Sequence, residues 1–299
     1  MTHWTPDDIA DQSGRTALIT GANSGIGLET ARVLARHGAR IILAGRDQAK
    51  LDEAAATLPS IDLATLVVDL GDLASIRSAA ARIAASESVD LLINNAGVMN
   101  IPERRTTRDG FEMTVGTNHL GHFAFTAQVM PALRRCPAAR IVTVSAIAAT
   151  WRSGALTDLM SEDRYRPMTA YAKSKRANIV FTEELARRLD GTGIEAVVIH
   201  PGAAMTNLQR HTHGPVARRV TAVLEKVLMG SPEGAAWPSL YAATSPDVHN
   251  GDFIGPASSR DQTSGTPKPV ALPRGAGDPA EGARLWVDSE RLTGITFTL

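Results

Sequence analysis

Short apolar runs alternate with longer amphipathic segments along residues 16–200. Runs that are apolar throughout indicate strands buried on both faces, and strands that alternate with helices indicate a parallel sheet. We therefore predict an α/β fold, a doubly wound parallel sheet with helices on both faces, in one domain with a core at 14–207 and an extension at 208–299. The predicted strands are Ala17–Thr20, Arg40–Ala44, Leu63–Val68, Val89–Ile93, Arg140–Ser145 and Glu195–His200.

A glycine-rich turn follows the first predicted strand. Residues 20–27 read Thr-Gly-Ala-Asn-Ser-Gly-Ile-Gly and open an Ala-rich amphipathic segment, Leu28–His37. Glycines at such a junction allow a sharp turn and the approach of a pyrophosphate, while the helix N-terminus supplies free N–H donors and a positive dipole. A tight turn without a ligand is the alternative. The position between a strand and a helix favours a dinucleotide site, formed by Gly21, Asn23, Ser24, Gly25, Ile26 and Gly27.

Tyr171 and Lys175 stand four residues apart, after a polar insert that follows the fifth predicted strand. On a helix, positions i and i+4 lie on one face, so the ammonium of Lys175 can stand beside the phenol of Tyr171. An adjacent cation favours the phenolate and lowers the tyrosine pKa toward working pH, as a general acid/base requires. Such a pair on an exposed helix face is ordinarily without function, so its significance depends on the accompanying motifs.

Together these motifs resemble those of the short-chain dehydrogenase/reductases. The spacing T-G-x-x-x-G-x-G at 20–27, the turn Asn94-Asn95-Ala96-Gly97 and the Tyr171–Lys175 pair are all similar to motifs of that family. The segment Asn118-His119-Leu120-Gly121-His122-Phe123 resembles its retinol-dehydrogenase-like branch. The resemblance implies a Rossmann-type cofactor domain, with residues 208–299 forming a substrate lid and C-terminal extension.

The resemblance also implies roles for individual residues. Tyr171 would be the general acid/base, Lys175 would orient the nicotinamide ribose and tune the tyrosine, and the backbone carbonyl of Asn118 would hold a water of the proton relay. Asp69 would accept a hydrogen bond from the adenine amino group, although a helix cap is its alternative. Thr206 would bond the carboxamide or a phosphate, again with a helix cap as the alternative. The other residues implied at the cofactor are Leu70, Asn95, Ala96, Gly97, Ser145, Pro201 and Gly202.

The end of the second predicted strand indicates which dinucleotide is used. An acid there would bond both ribose hydroxyls of NAD, whereas an arginine matches the 2′-phosphate of NADP. The usual acid position holds Gly45, and Arg46 and Asp47 follow. We therefore expect NADP, with NAD less favoured. An exposed turn arginine followed by Asp47 as a helix cap is one alternative, and Asp47 as a distorted ribose ligand is the NAD variant.

A long helix is predicted over Asp109–Arg135, with Asn118 in its middle, where asparagine is a poor helix former. We interpret His119 and His122 as helix-packing residues, because no third ligand appears at metal spacing, and no metal is predicted. Farther along, the pattern predicts helices over 220–229, 232–244 and 281–292. It also predicts a last edge strand at 251–255 and an irregular loop at 256–279.

The end of the fifth strand departs from the family pattern. The family places its substrate-facing serine second in a Ser-Ser pair, and this chain has Ser145-Ala146. If the strand stays in register, Ala146 shares a face with Val142 and Val144 and points toward the substrate, while Ser145 points away. The alternative is a bulge that turns Ser145 into the site.

Composition narrows the functional classes. Lys and Arg number 31, equal to the 31 Asp and Glu, so no net field attracts nucleic acid or an anionic membrane. The single cysteine, Cys136, cannot form an internal disulfide, which fits a reducing compartment. Residues 1–13 lack the features of a signal peptide, and no stretch is apolar enough to span a bilayer. We expect a cytoplasmic protein that acts on a small molecule.

Two functions are compatible with these observations. The first is an NADP-dependent oxidoreductase that interconverts an alcohol and a carbonyl on a small apolar molecule. The second is a cofactor-binding regulatory or scaffold protein with weak or no turnover, because Ala146 replaces the usual serine. The segment 178–189 often packs against another subunit in the family, which implies a homodimer or homotetramer.

Overall fold

The computed structural model describes residues 4–59, 62–151, 156–202, 232–256 and 265–299. Within these ranges the strands form one eight-stranded sheet in the order β3-β2-β1-β4-β5-β6-β7-β8. The strands are β1 (Thr16–Thr20), β2 (Arg40–Gly45), β3 (Leu63–Val67), β4 (Leu91–Asn94), β5 (Arg140–Val144), β6 (Glu195–Ile199), β7 (Phe253–Pro256) and β8 (Pro267–Pro269). The helices are α1 (Gly25–Arg36), α2 (Gln48–Ala55), α3 (Leu73–Ser86), α4 (Met113–Val115), α5 (Gly121–Leu133), α6 (Pro167–Arg188), α7 (Pro232–Thr244) and α8 (Pro279–Thr293).

The sheet is parallel except at one edge, and helices cover both faces. β1 pairs in parallel with both β2 and β4, so the strand order reverses at β1. Successive strand residues contribute to opposite layers: Leu18 belongs to the layer with α3, α5, α6 and α8, and Ile19 to the layer with α1, α2 and α7. The predicted α/β class is confirmed. In such sheets ligands bind at the carboxyl ends of the strands where the order reverses, which here is between β1 and β4.

One strand prediction was wrong. β7 is not the edge of the sheet, because β8 pairs with it antiparallel, with Ile254 opposite Pro269 and Pro256 opposite Pro267. β8 lies inside the stretch that was predicted to be an irregular loop. Its prolines lack the N–H of a ladder hydrogen bond and are tolerated because they lie on the edge strand.

The predicted helix 109–135 begins four residues later than expected. Glu112 is the N-cap of α4, and its carboxylate accepts hydrogen bonds from the backbone N–H groups of Thr114 and Val115 at 2.8 and 2.9 Å. Gly116–Leu120 forms a π-helical turn that carries Asn118 and leads into α5. The predicted helix is therefore interrupted where its unusual asparagine lies, and such turns often occur at functional sites.

The second half of α6 packs against the chain's own α8. Phe181 stacks on Trp286 with ring centroids 6.0 Å apart, and Phe123 meets Trp286 and Phe297 edge to face, at 5.4 Å in each pair. Between α6 and α8, the buried carboxylate of Glu281 pairs with Arg176 at 3.0 Å. The apolar face of residues 178–189 is thus covered within the chain rather than left for another subunit.

The helices of the extension agree with prediction where they are described. α7 and α8 match the predicted helices at 232–244 and 281–292, and no helix of the described ranges is long and apolar enough to cross a membrane. The helix predicted at 220–229, the polar segment before it and Thr206 lie outside the described residues.

Candidate active site

The glycine-rich turn lies at the carboxyl end of β1, directly before α1. Asn95, at the end of β4, donates from Nδ2 to the carbonyl oxygens of Thr20 and Gly21, at 2.8 and 3.4 Å. A Cβ atom on Gly27 would lie 2.7 Å from the backbone carbonyl oxygen of Gly21 as well as 2.5 Å from that Nδ2, so only glycine fits there. Ser24 is the N-cap of α1 but makes no side-chain cap bond, which leaves the first N–H groups of the helix for a ligand. This arrangement fits the pyrophosphate of a dinucleotide.

The ends of β2 and β3 border the same cleft. Gly45 stands beside the side chain of Asn23, whose Oδ1 would be 3.5 Å from a Cβ at that glycine. Arg46 is exposed, whereas Asp47 caps α2 by accepting from the N–H of Lys50 at 3.3 Å. Asp69 accepts from the N–H of Gly71 at 2.9 Å and does not cap a helix. The cap of α3 is Asp72.

The turn after β4 connects the glycine loop with the side chains predicted to be catalytic. A Cβ on Gly97 would meet Asn118 Oδ1 at 3.2 Å and Lys175 Nζ at 3.5 Å. Ala96 lies against Gly21, so the small Ala-Gly pair lies close to the end of β1, the π-helical turn and α6. The sequence motif therefore marks a close approach between elements as well as a turn.

Tyr171 and Lys175 lie on one face of α6 and are both buried. Lys175 Nζ donates to the carbonyl oxygen of Val144 at 2.9 Å and stands 5.9 Å from the centre of the Tyr171 ring. Burial raises the pKa of Tyr171 and lowers the pKa of Lys175 to about 8. The expectation that the ammonium lowers the tyrosine pKa was wrong in this arrangement, because desolvation outweighs an attraction at that distance.

Asn118 is held by both its side chain and its backbone. Its amide bonds the backbone of Val98 twice, accepting from the N–H at 2.7 Å and donating to the carbonyl oxygen at 2.9 Å. It also donates to Ser174 Oγ at 3.0 Å, and that hydroxyl donates to the carbonyl oxygen of Tyr171. The backbone carbonyl of Asn118 accepts from the ring of His122 at 2.9 Å. The structure thus brings all three residues predicted to be catalytic into one cluster.

Ser145 and Ala146 take the in-register arrangement. Ser145 is 1% exposed, and its hydroxyl donates to the carbonyl oxygen of Lys175 at 2.7 Å. Ala146 packs with Tyr171, Ala148 and Ala172, with Met99 against the same group. A methyl group therefore stands next to the tyrosine where the family places a hydroxyl. The contact of Ser145 with the cofactor stays a prediction.

The polar insert between β5 and α6 is held against the rest of the protein by contacts that were not predicted from the sequence. Tyr165 donates to the carbonyl oxygen of Ile101 at 2.7 Å, and Lys173 donates to Ser161 Oγ at 3.2 Å. Glu281 accepts from the N–H of Leu156 at 2.8 Å while it pairs with Arg176, so α8, α6 and the insert share one carboxylate. These residues are far apart in sequence, and neither spacing nor motif signals their contact.

The turn after β6 completes the described part of the site. Gly202 has φ of 75°, and its N–H donates to His200 Nδ1 at 3.3 Å. Pro201 and Gly202 are partly buried, as residues at the rim of a cleft would be. Thr206, the last residue predicted at the cofactor, lies outside the described residues.

Comparison with known proteins gives consistent results. Residues 15–215 match the family model for the short chain dehydrogenases. Retinol dehydrogenase 14 of Mus musculus is 40% identical over 300 residues, which cover 94% of this chain and 86% of that protein. A crystal structure of an uncharacterised protein from Mycobacterium paratuberculosis is 40% identical, covers 100% of both chains and has a TM-score of 0.81. The Pseudomonas aeruginosa RhlG/NADP complex is 27% identical with a TM-score of 0.65, over 81% of this chain and 94% of that one.

The chain belongs to the short-chain dehydrogenase family and is an oxidoreductase of that family. Its relatives include retinol dehydrogenases, and the resemblance to the retinol-dehydrogenase-like branch is confirmed. A nicotinamide dinucleotide is its cofactor class, and small molecules are its substrates.

Proposed function

We propose that the protein is an NADP-dependent oxidoreductase that interconverts an alcohol and a carbonyl on a small apolar molecule. The observation that carries the proposal is the cluster of Tyr171, Lys175 and Asn118 beside Gly97, next to the glycine turn of β1. A cofactor-binding protein without turnover has no physical need for this cluster. The relationship to retinol dehydrogenases supports an apolar substrate.

When bound, the nicotinamide supplies the hydride. Tyr171 provides the proton for the carbonyl oxygen, and the raised pKa of its phenol keeps that proton in place until charge develops on the substrate. Lys175, with a pKa of about 8, is mostly charged at neutral pH and stands where it can orient the ribose. Asn118 fixes the spacing between the π-helical turn, α6 and the turn after β4 through its bonds to Val98 and Ser174.

The choice of NADP rests on the end of β2. Gly45 leaves the usual acid position without a carboxylate, and the carboxylate of Asp47 is directed at the N-terminus of α2 and at Lys50. Arg46 is exposed at the same turn, and within the described ranges no carboxylate pairs with it. A guanidinium at this place can bind a 2′-phosphate with two parallel hydrogen bonds. The NADP named for the RhlG complex is consistent with this choice.

One observation favours the second candidate function, a cofactor-binding protein with weak turnover. Ala146 offers no hydrogen bond to a substrate oxygen, and Ser145 is committed to the Lys175 carbonyl. Loss of one oriented donor lowers rates by roughly a hundredfold in sites of this kind. We keep the enzyme as the main proposal because the rest of the cluster is complete.

The proposal is tested by Tyr171→Phe, which removes one oxygen with little change of shape. We expect turnover of aldehydes or ketones with NADPH to fall ~100- to 10,000-fold, because the proton donor is gone. The affinity for NADPH, measured by its fluorescence, should change little. Tyr165→Phe is the matched control, since Tyr165 bonds Ile101 outside the cluster. Retention of more than about a tenth of the activity in Tyr171→Phe would exclude this tyrosine as the acid.

Two further expectations stay predictions. A cytoplasmic location is one. Assembly into a homodimer or homotetramer is the other, and it would need a surface other than the face of α6 that α8 covers.

A further inference from the structure

His122 stands between the cofactor-binding edge of the sheet and Asn118. It is the second residue of α5 and is 1% exposed. Its Nδ1 lies 2.9 Å from the carbonyl oxygen of Asn118, and its Nε2 lies 2.9 Å from Thr20 Oγ1, at the end of β1. Both ring nitrogens therefore have partners, and each partner belongs to a different part of the site.

The chemistry of these partners determines where the ring proton lies. A carbonyl oxygen only accepts hydrogen bonds, so Nδ1 carries the hydrogen. Burial, together with a smaller effect of the nearby Lys175 ammonium, lowers the pKa of His122 to about 4, so the ring is neutral near pH 7. In a neutral imidazole the other nitrogen is an acceptor, and the Thr20 hydroxyl must donate to Nε2.

Thr20 continues the chain of hydrogen bonds into the turn after β4. Its oxygen accepts from the N–H groups of Asn95 and Ala96, at 2.9 and 3.0 Å. Its hydrogen has two acceptors within reach, His122 Nε2 at 2.9 Å and the carbonyl oxygen of Ile93 at 3.4 Å, and the shorter contact is favoured. The Thr20 hydroxyl thus uses both of its lone pairs and its proton. The donor and the acceptor of each hydrogen bond from Asn95 through Thr20 and His122 to Asn118 are therefore fixed.

We infer that His122 is a positioning residue for Asn118, linking its backbone carbonyl through Thr20 to the strand ends that bind the dinucleotide. The inference rests on the proposed function, in which Asn118 belongs to the catalytic cluster. His122 does not touch substrate. By bonding one side of the Asn118 carbonyl oxygen, it fixes the direction in which the remaining lone pair points, and it ties the π-helical turn to β1 and β4.

Two substitutions separate this role from packing. The amide nitrogen of asparagine can take the place of Nδ1, whereas that of glutamine takes the place of Nε2. We expect His122→Asn to keep kcat within about threefold, and His122→Gln to lower it roughly tenfold, the effect of one oriented hydrogen bond. The Kd for NADPH should stay within about threefold in both, because Thr20 still accepts from the N–H groups of Asn95 and Ala96 in either variant.

His119→Asn is the control for loss of a buried imidazole in the same segment. His119 is also buried, but its Nε2 contacts Ser289 Oγ at 2.9 Å rather than Asn118. We expect a lower melting temperature with kcat nearly unchanged. Equal losses of kcat in His122→Asn and His122→Gln, or no loss in His122→Gln, would overturn the positioning role.

A second measurement does not depend on turnover. In the full chain labelled with ¹⁵N-histidine, the couplings of each ring nitrogen to the ring protons identify the tautomer, and the signal missing from His122→Asn assigns His122. We expect a neutral ring with hydrogen on Nδ1 at pH 7. A proton on Nε2, or a charged ring, would overturn the inference. If the unmutated protein turns over no aldehyde or ketone with NADPH while this tautomer is found, the proposed function fails and the hydrogen-bond chain stands.

Discussion

At the scale of single residues, neighbouring side chains at the end of β2 have different tasks. Asp47 is engaged by the N-terminus of α2, where a carboxylate satisfies a free N–H group and complements the helix dipole. Arg46, one position earlier, is exposed. The two residues were competing candidates in the sequence, and the structure shows that the carboxylate of Asp47 caps α2.

Arg46→Ala should reduce the preference for NADPH over NADH. A bidentate contact between guanidinium and phosphate stabilises the complex by about 2 kcal/mol, so the ratio of the two Kd values should fall roughly thirtyfold. NADH affinity should hardly change, and titration by fluorescence gives both constants. Lys50→Ala is a control, because Lys50 pairs with Asp47 near the same turn. Equal affinities for the two cofactors in the unmutated protein would refute the NADP assignment.

Ala146 and Ser145 are also neighbours with different roles. Ala146→Ser places a hydroxyl beside Tyr171, and we expect higher kcat toward simple ketones and aldehydes, with up to roughly a hundredfold available from one oriented donor. Ser145→Ala should change kcat less than about threefold, because its hydroxyl serves the Lys175 carbonyl. Steady-state kinetics of the two variants decide the matter. Severe loss in Ser145→Ala with no gain in Ala146→Ser would show that Ser145 is the working donor.

At the scale of elements, patterns in the sequence predicted the sheet through β6 and the main helices, because buried parallel strands are apolar throughout. They did not predict the π-helical turn at Asn118. They also did not predict the late start of α4, since it depends on how the buried Glu112 carboxylate is satisfied. Nor could helical periodicity show what covers the apolar face of α6. The sequence pattern around Phe181 would be the same whether this ring packed against another subunit or, as it does, against Trp286 of α8.

The candidate site was likewise predicted only in part. Motifs located the glycine turn, Asn118 and the Tyr171–Lys175 pair, because each is a local pattern. The sign of the Tyr171 pKa shift was missed, since it depends on the degree of burial. His122 was interpreted as a packing residue, and its contact with Thr20 joins positions 102 residues apart. No local spacing signals such a contact.

At the scale of the whole molecule, the two buried histidines of the π-helical turn and α5 make stability depend on pH. Burial lowers the pKa of His119 to about 3 and that of His122 to about 4. The titratable group that faces His119 is His122, and the charged group that faces His122 is Lys175. An unfolded chain takes up protons on both near pH 6.5, whereas the folded chain does not. Stability is therefore full above that pH and is lost as the pH falls toward 4.

His119→Asn should flatten this acid dependence. Each neutral buried histidine contributes a slope of about 1.4 kcal/mol per pH unit below pH 6.5, so the stability difference between the two proteins should shrink by about 2 kcal/mol from pH 7 to pH 5. Urea unfolding at the two pH values measures it. A difference that stays constant would mean that His119 already takes up a proton in the folded state at pH 5.

The packing of α8 on α6 has a consequence for how the protein is made. Phe123 and Phe181 emerge from the ribosome before Trp286 and Phe297, the rings that cover them. Roughly 100 residues separate Phe181 from Trp286, and at a synthesis rate of about 5–20 residues per second that interval lasts about 5–20 s. Throughout it, the nascent chain carries an aromatic surface without its cover. Aggregation or capture by a chaperone competes with folding until the last helix has docked.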